Sequence, residues 1–342
     1  MSGIFDCHND LLTELAFRRE ESRPFEEHWL GHLQKGDVKV QICPIFTADK
    51  PVGERLRSAL FQLGAFHRAV SDRSDAVRWV RTREDLEEVL DGDDRIAMIP
   101  SLEGVEPFEE DIEMVDALWD LGVRMAGLTW NRSNAFATGG GEADDRGLTD
   151  AGRELVRRMQ RRGYVIDLTH TSPQTYMDLI EMTDRVPPVL SHSGCRAAYD
   201  SPRNASDEQL SALAKVGGVA GVMLLPLTVD IENATLDRVV DHVDHMASIL
   251  GDQQIGIGSD FFAQVVRSGA AGDDPAAALP ANQGAANMAA DAVVDGLEGP
   301  GDYGNLVAAL EKRGWQGERL DGLLLGNFAR VLAEALPPRS GN

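Results

Sequence analysis

The sequence predicts an α/β fold, a (β/α)8 TIM barrel, on three observations. Eight short runs rich in Val, Ile and Leu alternate with longer amphipathic stretches. Most of the runs are continuously apolar and bounded by Gly, Pro or Asp, as parallel strands covered on both faces must be. Each is followed by a helix or a long loop, which is the count for a closed barrel. The strands are expected at 3–6, 38–44, 95–100, 124–129, 164–168, 188–191, 218–225 and 254–258. A doubly wound sheet is the alternative, because one strand more or fewer separates the two.

Between the strands, 54–70 places Leu56, Leu60, Leu63 and Val70 at helical spacing, and 111–121 does so with Ile112, Val115, Leu118 and Trp119. Thr149 opens a helix carrying Leu155, Val156 and Met159, and 235–250 has Leu236, Val239, Val240, Val243 and Met246 on one face. The segment 268–287, built of Gly, Ala, Pro, Asp and Asn, reads as a long mobile loop after the eighth strand, either a lid or a plain surface excursion. A helical segment follows at 305–336. With no internal repeat or linker, 1–342 is expected to form one domain, a barrel of about 250 residues with additions.

The chain has 33 basic and 56 acidic residues, a formal charge of −23. Such a surface repels phosphate backbones and anionic lipid, so neither nucleic acid nor membrane is an expected partner. No run of uncharged apolar residues is long enough to span a bilayer, and the first ten residues have no signal-peptide pattern. Cys7, Cys43 and Cys195 are odd in number and widely spaced, which suits a reducing cytoplasm.

Chemistry enters at the strand ends. The first strand runs into Asp6-Cys7-His8-Asn9-Asp10, where His8 and Asp10 leave an extended chain on the same side. The third ends at Glu103, the fifth runs into His170, the sixth into His192 and the eighth into Asp260. In a barrel these ends share one mouth. Three imidazoles and three carboxylates form a nitrogen and oxygen set suited to zinc or a similar divalent ion. That is more than one catalytic zinc needs. Two ions are expected, one on His8 and Asp10 and one on His170 and His192, with Glu103 between them and Asp260 left to move protons. Two metals about 3.5 Å apart can activate a water and polarise a carbonyl.

Any one of these histidines could be an ordinary hydrogen-bonded core residue; their common placement argues otherwise. The other five serve as controls. His28 and His32 have the spacing of a zinc-binding helical pair but lack the following Glu, and read as helix surface. His242 and His245, beside Asp241 and Asp244, read as a solvated face, and His67 is uninformative. Cys7 and Cys195 neighbour His8 and His192, yet no base is apparent that would make either a nucleophile.

The ordered motifs DCHND, SLEG, LTWN, IDLTH, VLSHS, PRN, DHVDH, GIGSDF and GNFARVL resemble the renal (membrane) dipeptidase family, peptidase family M19, from Asp6 to about Leu332. The resemblance implies an amidohydrolase-like barrel, commonly a homodimer, that holds two Zn2+ ions and cleaves dipeptides, often with a D-residue at the carboxyl end. It makes His8 and Asp10 ligands of one zinc, His170 and His192 ligands of the other, Glu103 the bridge, and Asp260 the group that relays a proton to the leaving amine. It adds Arg203 as the partner of the substrate carboxylate, a task suited to a bidentate guanidinium.

Two positions depart from the family pattern. Trp130 stands where well-known members have a substrate-binding histidine, so oxyanion stabilisation would fall to metal or to Asn131 or Arg132. A tyrosine expected after the seventh strand is absent from the segment Met223-Leu224-Leu225-Pro226-Leu227. The expected activity is therefore zinc-dependent dipeptide hydrolysis. The alternatives are hydrolysis of another small amide, such as an N-acyl amino acid, and a catalytically silent metabolite-binding barrel.

Overall fold

The computed structural model describes residues 3–272 and 288–339. The expected loop at 268–287 lies outside them from 273 onward; its first five residues turn away from a short helix at Ala263–Arg267. Among the described residues there are nine parallel strands: β1 (Ile4–Asp6), β2 (Val38–Phe46), β3 (Val77–Trp79), β4 (Ile96–Glu103), β5 (Met125–Gly127), β6 (Val165–Asp167), β7 (Val189–Ser193), β8 (Val219–Val222) and β9 (Ile255–Ile257).

Closure is made by β2 pairing with β4 over seven residues, Val40 opposite Ala97 through Phe46 opposite Glu103. The ring is therefore the eight strands β1, β2, β4, β5, β6, β7, β8 and β9. These are the eight runs read from the sequence. The ninth, β3, pairs only with the first residues of β4 and stays outside the ring. It escaped the sequence reading because Val77-Arg78-Trp79 is three residues long and only partly buried.

The strands carry apolar side chains on both faces, for two reasons. One set, with Phe5, Val40, Ile42, Ile99, Val165, Val189 and Val219, packs together with Phe328, Val331 and Leu332 of the last helix, Asn327–Ala335. These side chains fill the barrel and the helix plugs its lower end. The other set, including Ile45, Met98, Leu128, Ile166 and Ile257, packs against the surrounding helices. Return helices start where a Ser or Thr side chain accepts a first-turn N–H: Thr82, Thr149, Ser172, Ser206 and Thr235. The four helices read from periodicity occur at Arg55–Asp72, Met114–Asp120, Asp150–Arg162 and Leu236–Leu250. The C-terminal segment breaks once, after Tyr303–Lys312; Gly317–Asp321 then runs through a π-helical turn, Gly322–Gly326, into Asn327–Ala335.

Candidate metal centre

The side chains singled out at the strand ends meet at the barrel mouth. His8 and Asp10 follow β1, Glu103 ends β4, His170 follows β6, His192 lies in β7 and Asp260 follows β9. Two of them sit on unusual backbone: His170 has φ 65° and Asp260 φ 54°. Left-handed geometry at a residue with a Cβ costs on the order of 1–3 kcal/mol, so the surroundings must impose it. They do. The His170 carbonyl accepts from Gly140 N–H at 2.7 Å, and Asp260 N–H donates to the His8 carbonyl at 2.9 Å. Gly258 permits the approach of β9 to β7, since a Cβ there would lie 1.8 Å from the Ser191 carbonyl oxygen.

The distances define a single cluster. His170 Nε2 is 2.9 Å from Glu103 Oε1, and His8 Nε2 is 3.6 Å from Glu103 Oε2, so Glu103 turns one oxygen to each side. His8 Nε2 is also 3.7 Å from Asp260 Oδ1. His170 Nε2 and His192 Nε2 face one another at 3.0 Å. Two trios, His8 with Glu103 and His192 and His8 with Asp10 and Asp260, each bring three donor atoms within 4.8 Å of one another.

Hydrogen-bond partners decide which ring nitrogen is free. His170 Nδ1–H donates to Asn131 Oδ1 at 2.9 Å, which leaves the lone pair on Nε2. Ser191 Oγ–H donates to Asp167 Oδ2, so at 2.9 Å it accepts from His192 Nδ1–H, and His192 Nε2 also keeps its lone pair. Two lone pairs thus converge, while His8 Nε2 and Asp10 Oδ1 are buried with no hydrogen-bond partner. Burial holds the imidazoles neutral: His8 is pushed down to about 3, with Arg203 adding to the effect, and His170 and His192 go well below their usual value. Burial, reinforced by neighbouring carboxylates, raises Asp10 and Glu103 well above the carboxylate range. Neutral imidazoles and carboxyls that ionise only with a nearby cation are the donor set a divalent metal fits.

Asp260 is raised to about 6 by burial, with Arg203 pulling the other way. Arg203 is itself buried and places Nη2 at 3.2 Å from His170 Nε2. Trp130 is buried, with its ring edge-on to Phe46 at 5.2 Å and 5.9 Å from the His170 ring. Its backbone N–H donates to Glu106, whose carboxyl is lifted to about 6 by burial. Asn131 faces His170, whereas the Arg132 side chain is 61% exposed and lies 3.9 Å from Glu142. The structure does not bring Arg132 to the cluster.

Sequence reasoning missed the supports beneath the ligands. Asp6 accepts from His8 N–H at 3.2 Å and from both Ser259 N–H and Oγ–H, joining β1 to the segment after β9. Asp167 does the same across β6 and β7, accepting from Thr169 and from Ser191. The available signal was an aspartate closing a strand two or three residues before a histidine. One control also fails: His242 is buried, not solvated, accepting from Cys195 N–H at 3.0 Å and donating to the Val229 carbonyl. The three thiols are buried and raised, Cys195 to about 11, so none is a ready nucleophile.

A (β/α)8 barrel with paired imidazoles and carboxylates at its mouth defines a metal-binding barrel of the amidohydrolase architecture. An amidohydrolase from Pseudomonas aeruginosa shares it at a TM-score of 0.81, with 25% identity over 98% of this chain and 97% of that one. A metallo peptidase from Rhodobacter sphaeroides, solved with a phosphinate mimic of the dipeptide L-Ala-D-Ala, superposes with a TM-score of 0.82 at 21% identity, over 97% and 99% of the two chains. The chain belongs to the membrane dipeptidase family (peptidase family M19), which matches residues 1–270 and 284–337. It is 33% identical to Dipeptidase verJ of Clonostachys rogersoniana over 210 residues, 61% of this chain and 54% of that protein. With Dipeptidase 3 of Rattus norvegicus the identity is 29% over 350 residues, 97% of this chain and 64% of that one. The chain spans about half the length of the first of these relatives. Among the described residues, no helix is long and apolar enough to cross a membrane.

Proposed function

We propose that this protein is a zinc-dependent dipeptidase with two ions per chain, the first held by His8 and Asp10, the second by His170 and His192, and Glu103 shared. The observation that carries the reading is the convergence of the unprotonated Nε2 atoms of His170, which Arg203 also reaches, and His192 on a carboxylate that turns its other oxygen to His8. Bound divalent ions supply a water acidic enough to attack a peptide carbonyl at neutral pH and a Lewis acid for the carbonyl oxygen. The rest belongs to the chain. Asp260, raised toward neutrality, accepts the proton of the attacking water and returns it to the departing amine. Arg203 receives the carboxylate at the far end of the substrate, which fixes the scissile bond over the imidazoles. Trp130 walls the substrate side, while Asn131 aims the His170 ring. A homodimer in a reducing cytoplasm completes the proposal, in keeping with three free buried cysteines.

Metal analysis alongside a panel of L-Xaa-L-Xaa and L-Xaa-D-Xaa dipeptides tests it. Two zinc equivalents with turnover that chelation abolishes and zinc restores is the expected result. Two equivalents without turnover on any dipeptide would reject the substrate class and favour a second reading, hydrolysis of another small amide such as an N-acyl amino acid. Trp130, where relatives are expected to carry histidine, motivates that reading.

A further inference from the structure

Beside the metal centre lies a cleft of about 490 Å³ that the chemistry above does not use. Its walls come from the first helix, Leu11–Phe17, from the segment after β2, and from the start of the helix Arg55–Asp72. Two residues join it to the mouth. Phe46, the last residue of β2, lines the cleft and packs its ring against Trp130. Thr13 lines it too, with its N–H bonded to the carbonyl of Asp10 at 3.1 Å and its hydroxyl buried without a partner. Gln62 holds Phe46 in place by bonding both its N–H and its carbonyl.

The position of the cleft relates it to the substrate. In the ring of eight, β2 stands four places from β7, directly across the mouth. Arg203 follows β7, so a dipeptide with its carboxylate on Arg203 and its carbonyl over the imidazoles directs its amino-terminal residue toward β2. The lining shows what fits there. Phe17 and Phe61 are 54% and 46% exposed, unusual for phenylalanine on so acidic a surface. Arg19 and Arg57 sit over the Phe61 ring at 5.5 and 5.4 Å. The lining charges nearly balance, because Arg19, Lys50 and Arg57 face Asp49 and Glu54 and Lys50 is paired to Asp49 at 2.6 Å. Selection by charge is therefore weak, and selection by aromatic and guanidinium faces is available.

We propose that this cleft receives the amino-terminal residue of the substrate and selects a large aromatic side chain there. The proposal rests on the dipeptidase reading. The zinc-loaded enzyme should hydrolyse L-Phe-D-Ala with a kcat/KM about 10-fold or more above Gly-D-Ala, the scale set by burying an apolar side chain in a pocket. The double variant Phe17→Ser/Phe61→Ser, altered at exposed positions outside the ligand set, should bring that ratio close to one. Its rate on Gly-D-Ala and its ratio between Gly-D-Phe and Gly-D-Ala should not change. Equal wild-type rates, or an aromatic preference that survives the double variant, would overturn the cleft assignment while leaving dipeptide hydrolysis standing. No hydrolysis of any dipeptide would overturn both.

Discussion

Asn131 offers a sharp test of how the ligand set is held. In Asn131→Leu, His170 loses the acceptor for Nδ1–H, now at 2.9 Å in a fully buried position. The proton can stay on Nδ1 unpaired, which costs about 1–3 kcal/mol for a buried donor. It can instead move to Nε2, where it would point at His192 Nε2, 3.0 Å away, and remove the lone pair meant for metal. Either route weakens metal binding. Loss of such an outer partner typically lowers metal affinity 10- to 100-fold, or about 1.4–2.8 kcal/mol, which agrees with the desolvation figure. The assay is zinc affinity by competition with a chelating dye, run beside kcat/KM at saturating zinc. Asn131→Leu should lose 10- to 100-fold in the weaker zinc affinity and recover part of its activity with added zinc. Asn131→Asp, which keeps the acceptor, should retain zinc. Unchanged zinc affinity with a raised KM would refute the reasoning and give Asn131 the substrate-facing role that its place after Trp130 suggests.

Other consequences can be measured with the same protein. Asp260→Asn should keep two zinc equivalents while kcat falls by about 10²- to 10⁴-fold, the usual worth of a positioned acid–base group; wild-type turnover would remove the proton-relay role. Arg203→Ala should act mainly on KM for substrates with a free terminal carboxylate and spare their amidated analogues, and an equal effect on both would reject the carboxylate contact. Stability should depend on pH and metal together. The metal-free imidazoles, with His8 lowered to about 3 from an unfolded value near 6.5, bind fewer protons folded than unfolded between those limits, so their contribution is lost as pH falls from about 6.5 toward 3. The raised Asp10 and Glu103 act in the opposite sense, costing metal-free stability as pH rises above about 4. Bound zinc needs both kinds of group deprotonated. The Tm difference between zinc-loaded and chelator-treated protein should therefore widen from pH 5 to pH 8; a constant gap would speak against these residues as ligands.

The legible part of this molecule was local. Eight runs of Val, Ile and Leu announced the ring because a strand covered on both faces needs little else. His8, Asp10, Glu103, His170, His192 and Asp260 could be read as one group because each stands at the end of such a run, and closure of a barrel turns those ends into neighbours. The helix start at Thr149 followed from a hydroxyl that acts within three residues. The weak points were short or solitary. Val77–Trp79 carries too few residues to show a period, and His242, with aspartates beside it, looked solvated until Cys195 and Val229 closed over it.

Tertiary structure alone decided partners separated by long stretches of chain. That Asn131 faces His170, that Asp6 ties Ser259 and Asp167 ties Ser191, and that Arg132 turns out to Glu142 depend on where loops meet. The left-handed backbone of His170 and Asp260 has the same origin, since glycine is the residue that favours it and neither position is glycine. Pattern and spacing report what a segment does for its own neighbours. Which hydroxyl or amide aims an imidazole, and what borders a cleft, is set by atoms that meet only when the ring closes.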